Sequence, residues 1–208
     1  MKKAPVWFEK TVEYAYVARL VLSQKMGFAA PLAGVHERYA GDAVFGVAEK
    51  FVLIEFKRTR EFLPSEISLF LDYEKAKKEL SNYTHHYFIY GALEQGALQL
   101  RAELYFDTNE EKCYYNPIDI LACGIPKQEF DTYIKLLAAH KVPDGRAGSA
   151  GGMTPETFST VLGVSQKGDV VETHALHEYA PDLFPAPPRP DHTPSPQQKQ
   201  APTPTLKF

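Results

Sequence analysis

The sequence predicts one α/β domain followed by a disordered proline-rich tail, and three observations carry that expectation. Helical and strand-like patterns alternate along residues 6–180, the run from Phe51 to Ile54 with Phe56 is apolar on both strand faces, and composition changes at Pro181. The 208 residues, 44% of them hydrophobic, suffice for one real core.

The first helix is expected over Val6–Gln24, where Phe8, Val12, Ala15, Tyr16, Ala18, Leu20 and Leu22 recur at helical spacing. Met26 and Gly27 stop it. Residues 35–47 and Lys50–Lys57 read as two strands of an antiparallel hairpin turning near Gly46–Glu49. Pro64-Ser65-Glu66 opens a second helix over Ser65–Asn82, with Ile67, Phe70, Leu71 and Leu80 inward and Lys75, Lys77 and Lys78 outward. "HHYFIYGAL" and "LQLRAELYFD" follow as strands, with His85 and His86 on opposite faces at the entry of the first. A third helix is expected over "PKQEFDTYIKLLAAHK", a flexible connector over Gly145–Met153, a short helix over Thr154–Leu162 and a last strand in "GDVVETHALHEY". The glycines of the connector lack the Lys-Ser or Lys-Thr that closes a phosphate loop. His174 and His177 fall on opposite faces if that segment is extended, which argues against a metal pair.

The domain is thus expected to span residues 1–180 and the tail 181–208. The tail holds nine of the sixteen prolines and few apolar residues, so burial cannot offset the entropy of ordering it. "DLFP" and the terminal "LKF" leave it a role in docking a protein partner. No run approaches the roughly eighteen apolar residues of a membrane span. Glu9, Lys10 and Glu13 sit where a signal peptide keeps an apolar stretch, so a soluble cytoplasmic protein is expected. Cys113 and Cys123 are too few for a disulfide framework or a four-cysteine zinc site. The net charge of −3 excludes nucleic-acid binding by bulk electrostatics alone, but not a metal-dependent enzyme.

Alternation places Phe51, Leu53, Glu55 and Lys57 on one strand face and Val52, Ile54 and Phe56 on the other. Glu55 and Lys57 therefore share the core boundary, where an uncompensated charge costs several kcal/mol and needs a partner, a cation or a cleft. The expected hairpin brings Asp42 close to Glu55. Two converging carboxylates repel unless a hard cation lies between them, and Mg²⁺ takes one or two carboxylates while keeping several waters.

With Glu9 in "WFEKTVEY", Asp42 in "GDAVFG" and Ile54–Lys57, "IEFK", at the end of an apolar strand, the sequence resembles the PD-(D/E)XK nuclease superfamily. The resemblance covers about residues 6–106 and rests on short motifs in the right order. Gly41 stands where the motif's name has proline, and Glu13 is one turn from Glu9, so either is open as the first-helix acid. The resemblance implies a restriction-endonuclease-like core, a central mixed β-sheet flanked by helices. It implies Mg²⁺ (or Mn²⁺) held by Asp42, Glu55, the Phe56 carbonyl and Glu9 or Glu13. Lys57, its pKa depressed by the cation, would orient or deprotonate the attacking water.

The expected activity is hydrolysis of phosphodiester bonds in nucleic acid, DNA before RNA. Arg58, Arg60, Lys75, Lys77 and Lys78 are candidate phosphate contacts, with a solvated surface as their plain alternative. A core this small acts on DNA structure or ends, as a homodimer, or as a subunit of a larger complex. Phage replication, mobile elements and defence are the settings that the resemblance offers. The competing expectations are an inactive nucleic-acid-binding or scaffold protein of the same fold, and an interaction factor working through its tail.

Overall fold

A computed structural model describes residues 7–26, 48–108, 110–142 and 159–184. Its strands are β1 (Lys50–Lys57), β2 (His86–Glu94), β3 (Ala97–Leu104), β4 (Ser159–Val164) and β5 (Val170–Ala175). Its α-helices are α1 (Glu9–Leu22), α2 (Tyr73–Leu80), α3 (Lys127–His140) and the single turn α4 (Leu176–Tyr179). The strands form one open mixed sheet in the order β3-β2-β1-β4-β5.

β1 is central. It runs parallel to β2, from Leu53 opposite His86 to Lys57 opposite Tyr90, and antiparallel to β4, from Lys50 opposite Val164 to Glu55 opposite Ser159. Parallel neighbours need a crossover connection, and residues 60–80 supply it as the 3₁₀ segment Arg60–Leu69 followed by α2. The β2–β3 hairpin turns through Gln95 (φ 51°) and Gly96 (φ 80°), a pair of positive φ angles that matches the strand twist.

The alternation expected along β1 is what forms. Phe51 and Leu53 pack with Phe88, Tyr105, Phe130, Ile134 and Leu137 on one face. Val52, Ile54 and Phe56 pack with Val12, Tyr16 and Leu20 of α1 on the other. Each such side chain contributes about 1.5–3 kcal/mol by burial, so the strand is fixed in register from both faces. Among the described residues no helix is long and apolar enough to cross a membrane.

Several elements differ from the sequence expectation. α1 is shorter than Val6–Gln24 by a few residues at its start and two at its end. Both edges of β1 are taken by β2 and β4, so β1 has no edge left for a hairpin partner from residues 35–47, which lie outside the described residues with Asp42. The helix expected over Ser65–Asn82 divides: Pro64 sits in the 3₁₀ segment, Phe70 pairs with Lys141, and Asp72 starts α2 by accepting the Lys75 backbone N–H at 3.0 Å. Phe70 and Leu80 are buried as expected, whereas Ile67 and Leu71 are 48% and 65% exposed.

Ser159–Val164 is a strand where a helix was expected to Leu162. Thr160, Val161 and Val164 are β-branched, and the β1 edge accepts them. The last strand forms as β5. His85 and His86 are both buried, because β2 is covered on both sides and has no outward face at its start. Phe184, assigned to the tail by composition, is 4% exposed and belongs to the core cluster of Leu53 and Leu137. The packed body therefore reaches past residue 180; the Gly145–Met153 connector and residues 185–208 lie outside the described residues.

Phe184→Ala is expected to lower stability by about 3 kcal/mol in urea unfolding. An unchanged midpoint would show that this ring contributes nothing to the core.

Candidate functional site

Glu55 and Lys57 stand at the C-terminal end of β1 on its Phe51 and Leu53 face, and both are buried, at 3% and 4% exposure. Lys57 Nζ lies 3.7 Å from Glu55 Oε1 and donates to Glu66 Oε1. Glu66 comes from the 3₁₀ segment, and its second oxygen accepts the Tyr105 hydroxyl at 2.7 Å and Lys141 Nζ at 3.3 Å. Lys141, just past α3, also donates to the Tyr105 oxygen at 3.0 Å. Ser159, the first residue of β4, donates its hydroxyl to Glu55 Oε2. Strand ends and connections from five parts of the chain thus meet at one buried group of charges.

The two carboxylates are treated unequally. Burial opposes the charge on Glu66, but Lys141, Lys57 and the Tyr105 hydroxyl outweigh it and hold its pKa below the ordinary value. Glu55 has fewer donors. Burial, reinforced by repulsion from Glu66, pushes its pKa up to about 7 against the pull of Lys57 and Lys141. Burial disfavours the Lys57 ammonium too, yet Glu55 and Glu66 together raise its pKa above the usual lysine value. Lys57 is therefore a fixed cation here, and the proton that titrates near neutrality is on Glu55.

The start of α1 completes the group. Trp7 Nε1 donates to the Arg58 carbonyl at 2.6 Å, and the same oxygen accepts the Gly91 backbone N–H at 3.2 Å. A Cβ at Gly91 would come within 2.8 Å of the indole and 2.7 Å of Leu98, so only glycine admits Trp7 there. That anchor brings Glu9, two residues on, to the end of β1. Burial raises the Glu9 pKa, offset by Lys57 and by a hydrogen bond from the Arg58 backbone. Glu13 is instead held by Lys10, at 2.9 and 2.7 Å. Of the two first-helix acids, Glu9 is the one whose charge reaches Lys57.

The other expected site residues are dispersed. Asp42 lies outside the described residues. The Phe56 ring is buried against Tyr16 on the opposite face, its backbone lying between Glu55 and Lys57. Arg58 is half-buried with its guanidinium 4.5 Å from the Phe62 ring centroid. Arg60 grips the buried Glu103 at 2.8 and 3.3 Å. Lys75, Lys77 and Lys78 are exposed on α2, and among the described residues no ion pair joins them to the cluster.

Glu66 escaped as a site residue because it was read as the opening of a helix, and Tyr105, Lys141 and Ser159 because they stand far from Glu55 in the chain. The one available signal was a glutamate and a lysine flanking apolar residues predicted to be buried. His86 lies beside them, its Nδ1 2.5 Å from the Tyr133 hydroxyl, and burial holds its pKa well below the ordinary value. Among the described residues its Nε2 has no hydrogen-bond partner. His86, Glu55, Ser159, Lys141 and Phe184 line a cavity of about 10 Å³, room for one water at most.

Comparison with family models, curated proteins and solved structures finds no match to this chain. Among the described residues no three His, Cys, Asp or Glu side chains are grouped to hold a metal ion. The donor chemistry nevertheless suits a hard cation. Among the described residues Glu9, Glu55 and Glu66 face two ammonium groups, Lys57 and Lys141, and burial, reinforced by the charge on Glu66, holds a proton on Glu55 that a cation could replace. Glu55, with fewer donors, is the more available ligand; Glu66 already accepts from Lys57, Tyr105 and Lys141.

Raising the folded pKa of an acid stabilises its protonated form. The Glu55 contribution is fully present below about pH 4.5 and is lost as pH rises through about 7. Relative to Glu55→Gln, the wild type is expected to lose on the order of 2 kcal/mol across that window without divalent cations. Parallel pH profiles of the two proteins would contradict this. Gly91→Ala should displace Trp7 and cost about 1–3 kcal/mol, read by a shift of tryptophan emission with the unfolding midpoint.

Proposed function

We propose that this chain is a Mg²⁺-dependent nuclease of the restriction-endonuclease-like kind, acting on DNA. What carries the reading is Lys57, a buried ammonium at the C-terminal end of a central strand, flanked by Glu55 on its own strand and approached by Glu9 from α1. Two further features support it. The strand bearing Glu55 and Lys57 is followed by a helical crossover and a parallel strand, and the cluster carries one carboxylate more than its lysines neutralise.

Glu55, the Phe56 carbonyl and Asp42 are the residues that would hold Mg²⁺ or Mn²⁺. When bound, such an ion polarises a phosphate oxygen and acidifies a water. Glu55 must give up its proton to serve as a ligand, which couples ion binding to pH near neutrality. Without an ion, Glu55 and Glu66 favour the charged form of Lys57. Its role is to orient the nucleophile and to stabilise negative charge on the phosphate, with Glu66 fixing its position. Glu9 adds its charge to the field around Lys57. Arg58 and the exposed lysines Lys75 and Lys78 are candidate contacts to phosphates away from the reaction.

The test is incubation with linear, circular, single-stranded and branched DNA, and with RNA, in Mg²⁺ or Mn²⁺. Cleavage is expected, with Lys57→Ala and Asp42→Asn each lowering the rate at least about 100-fold. Circular dichroism separates lost chemistry from lost fold, because removing Lys57 leaves two buried carboxylates short of a partner. Equal cleavage by wild type and both folded variants would overturn the assignment. Nucleic-acid binding without cleavage would favour an inactive member of the same fold.

A further inference from the structure

We propose that the cleft beyond the end of β1 binds an unpaired nucleotide of a single-stranded nucleic acid, its base against Tyr115 and Trp7 and its phosphate at Arg58. The proposal rests on the nuclease reading and names the substrate class for it.

The cleft follows from strand lengths. β1 ends at Lys57 opposite Tyr90, while β2 runs on to Glu94, and this overhang is the floor of a concavity of about 580 Å³. Trp7, Arg58, Arg101 and Tyr115 are among the residues that line it. That volume is in the range of small-molecule sites, roughly 300–1,000 Å³, and suits one nucleotide rather than the breadth of a duplex. Trp7 and Arg58 also adjoin the Glu9 and Lys57 cluster, which puts the cleft next to the proposed site of reaction.

Two features of the lining point to a base with a free π-face. Tyr115 is 70% exposed, although it is a large aromatic residue, and the Arg101 guanidinium lies 4.6 Å from its ring centroid. Arg101 is itself pinned by Glu94 and by the carbonyls of Leu100 at 2.9 Å and Tyr115 at 3.3 Å, so the platform is preorganised. Trp7 is equally fixed, through the Arg58 carbonyl and Gly91. A duplex keeps its bases stacked inside and gains nothing from such surfaces, whereas an unpaired base stacks on them.

The charge distribution names the phosphate contact. Arg101 is neutralised by Glu94 and Arg60 by Glu103. Arg58 rests over Phe62, and among the described residues it is in no salt bridge with a carboxylate, including Glu61 at the exposed rim. Its charge acts on Glu9 and Glu61 only at a distance, which leaves it, among the described residues of the cleft, the guanidinium open to an anion.

Trp7 is the only tryptophan of the chain, so its emission reports the cleft directly. The full chain, in EDTA to prevent cleavage, is titrated with a twelve-residue oligothymidine, with a duplex of equal length and with thymidine monophosphate. Saturable quenching by the single strand is expected, with the duplex and the mononucleotide each at least about 10-fold weaker. Tyr115→Leu should weaken the single strand about 10-fold while Tyr115→Phe retains it, and Arg58→Gln should reduce the salt dependence by about one phosphate contact. Equal binding of duplex or mononucleotide, no quenching, or indifference to Tyr115→Leu would overturn the proposal. Cleavage of duplex DNA in Mg²⁺ with no single-strand preference defeats this inference alone. Single-strand binding without cleavage defeats the nuclease reading alone.

Discussion

The ion pair between Lys57 and Glu66 is the constraint on which the rest of the cluster depends. An ammonium buried at the end of a central strand costs several kcal/mol in lost hydration, and a carboxylate beside it must repay most of that. Glu66 does so from a 3₁₀ segment anchored by Leu63 and Leu69 in the core. Glu55, on the same strand, is raised first by its own burial and further by the charge on Glu66. Glu55 then becomes the one group of the cluster whose charge is poised to change near neutral pH.

The fold delivers these groups by simple means. β1 is sandwiched, so its alternation points Glu55 and Lys57 into a dry layer instead of toward solvent. The crossover to β2 returns over that layer and lays Glu66 on it. α3 ends with Lys141 at the same place, while Phe184 and Ser159 close the cavity beside Glu55. On the other side Gly91 lets the indole of Trp7 dock at the strand end, tying α1 and Glu9 to the site. The cluster therefore links both faces of the sheet at one strand terminus, the position where an open α/β sheet leaves a crevice.

Much of the scaffold was legible because it is written in local periodicity. The strand faces of β1, the β2–β3 hairpin and α3 follow from apolar spacing and turn chemistry alone. The misses have common physical causes. The helix expected from Ser65 broke because Pro64 and the Asp72 cap act within a few residues, against a periodicity spread over eighteen. The segment from Ser159 became a strand because a free edge of β1 was available, which no local pattern reveals. The hairpin to residues 35–47 was inferred from sequence proximity, whereas β1 takes neighbours distant in the chain. At the site, Glu55, Lys57 and Glu9 were legible from a motif. Glu66, Tyr105 and Lys141 were not, since their encounter depends on how the crossover and α3 pack.

In the proposed nuclease, a bound Mg²⁺ would displace the proton that Glu55 otherwise holds near neutrality. Carboxyl-carbon NMR titration of Glu55 in the full chain, with and without Mg²⁺, tests it most directly. The account predicts a titration near neutrality without the ion and a shift below the ordinary glutamate range with it. An ordinary glutamate titration that Mg²⁺ leaves unmoved would contradict it.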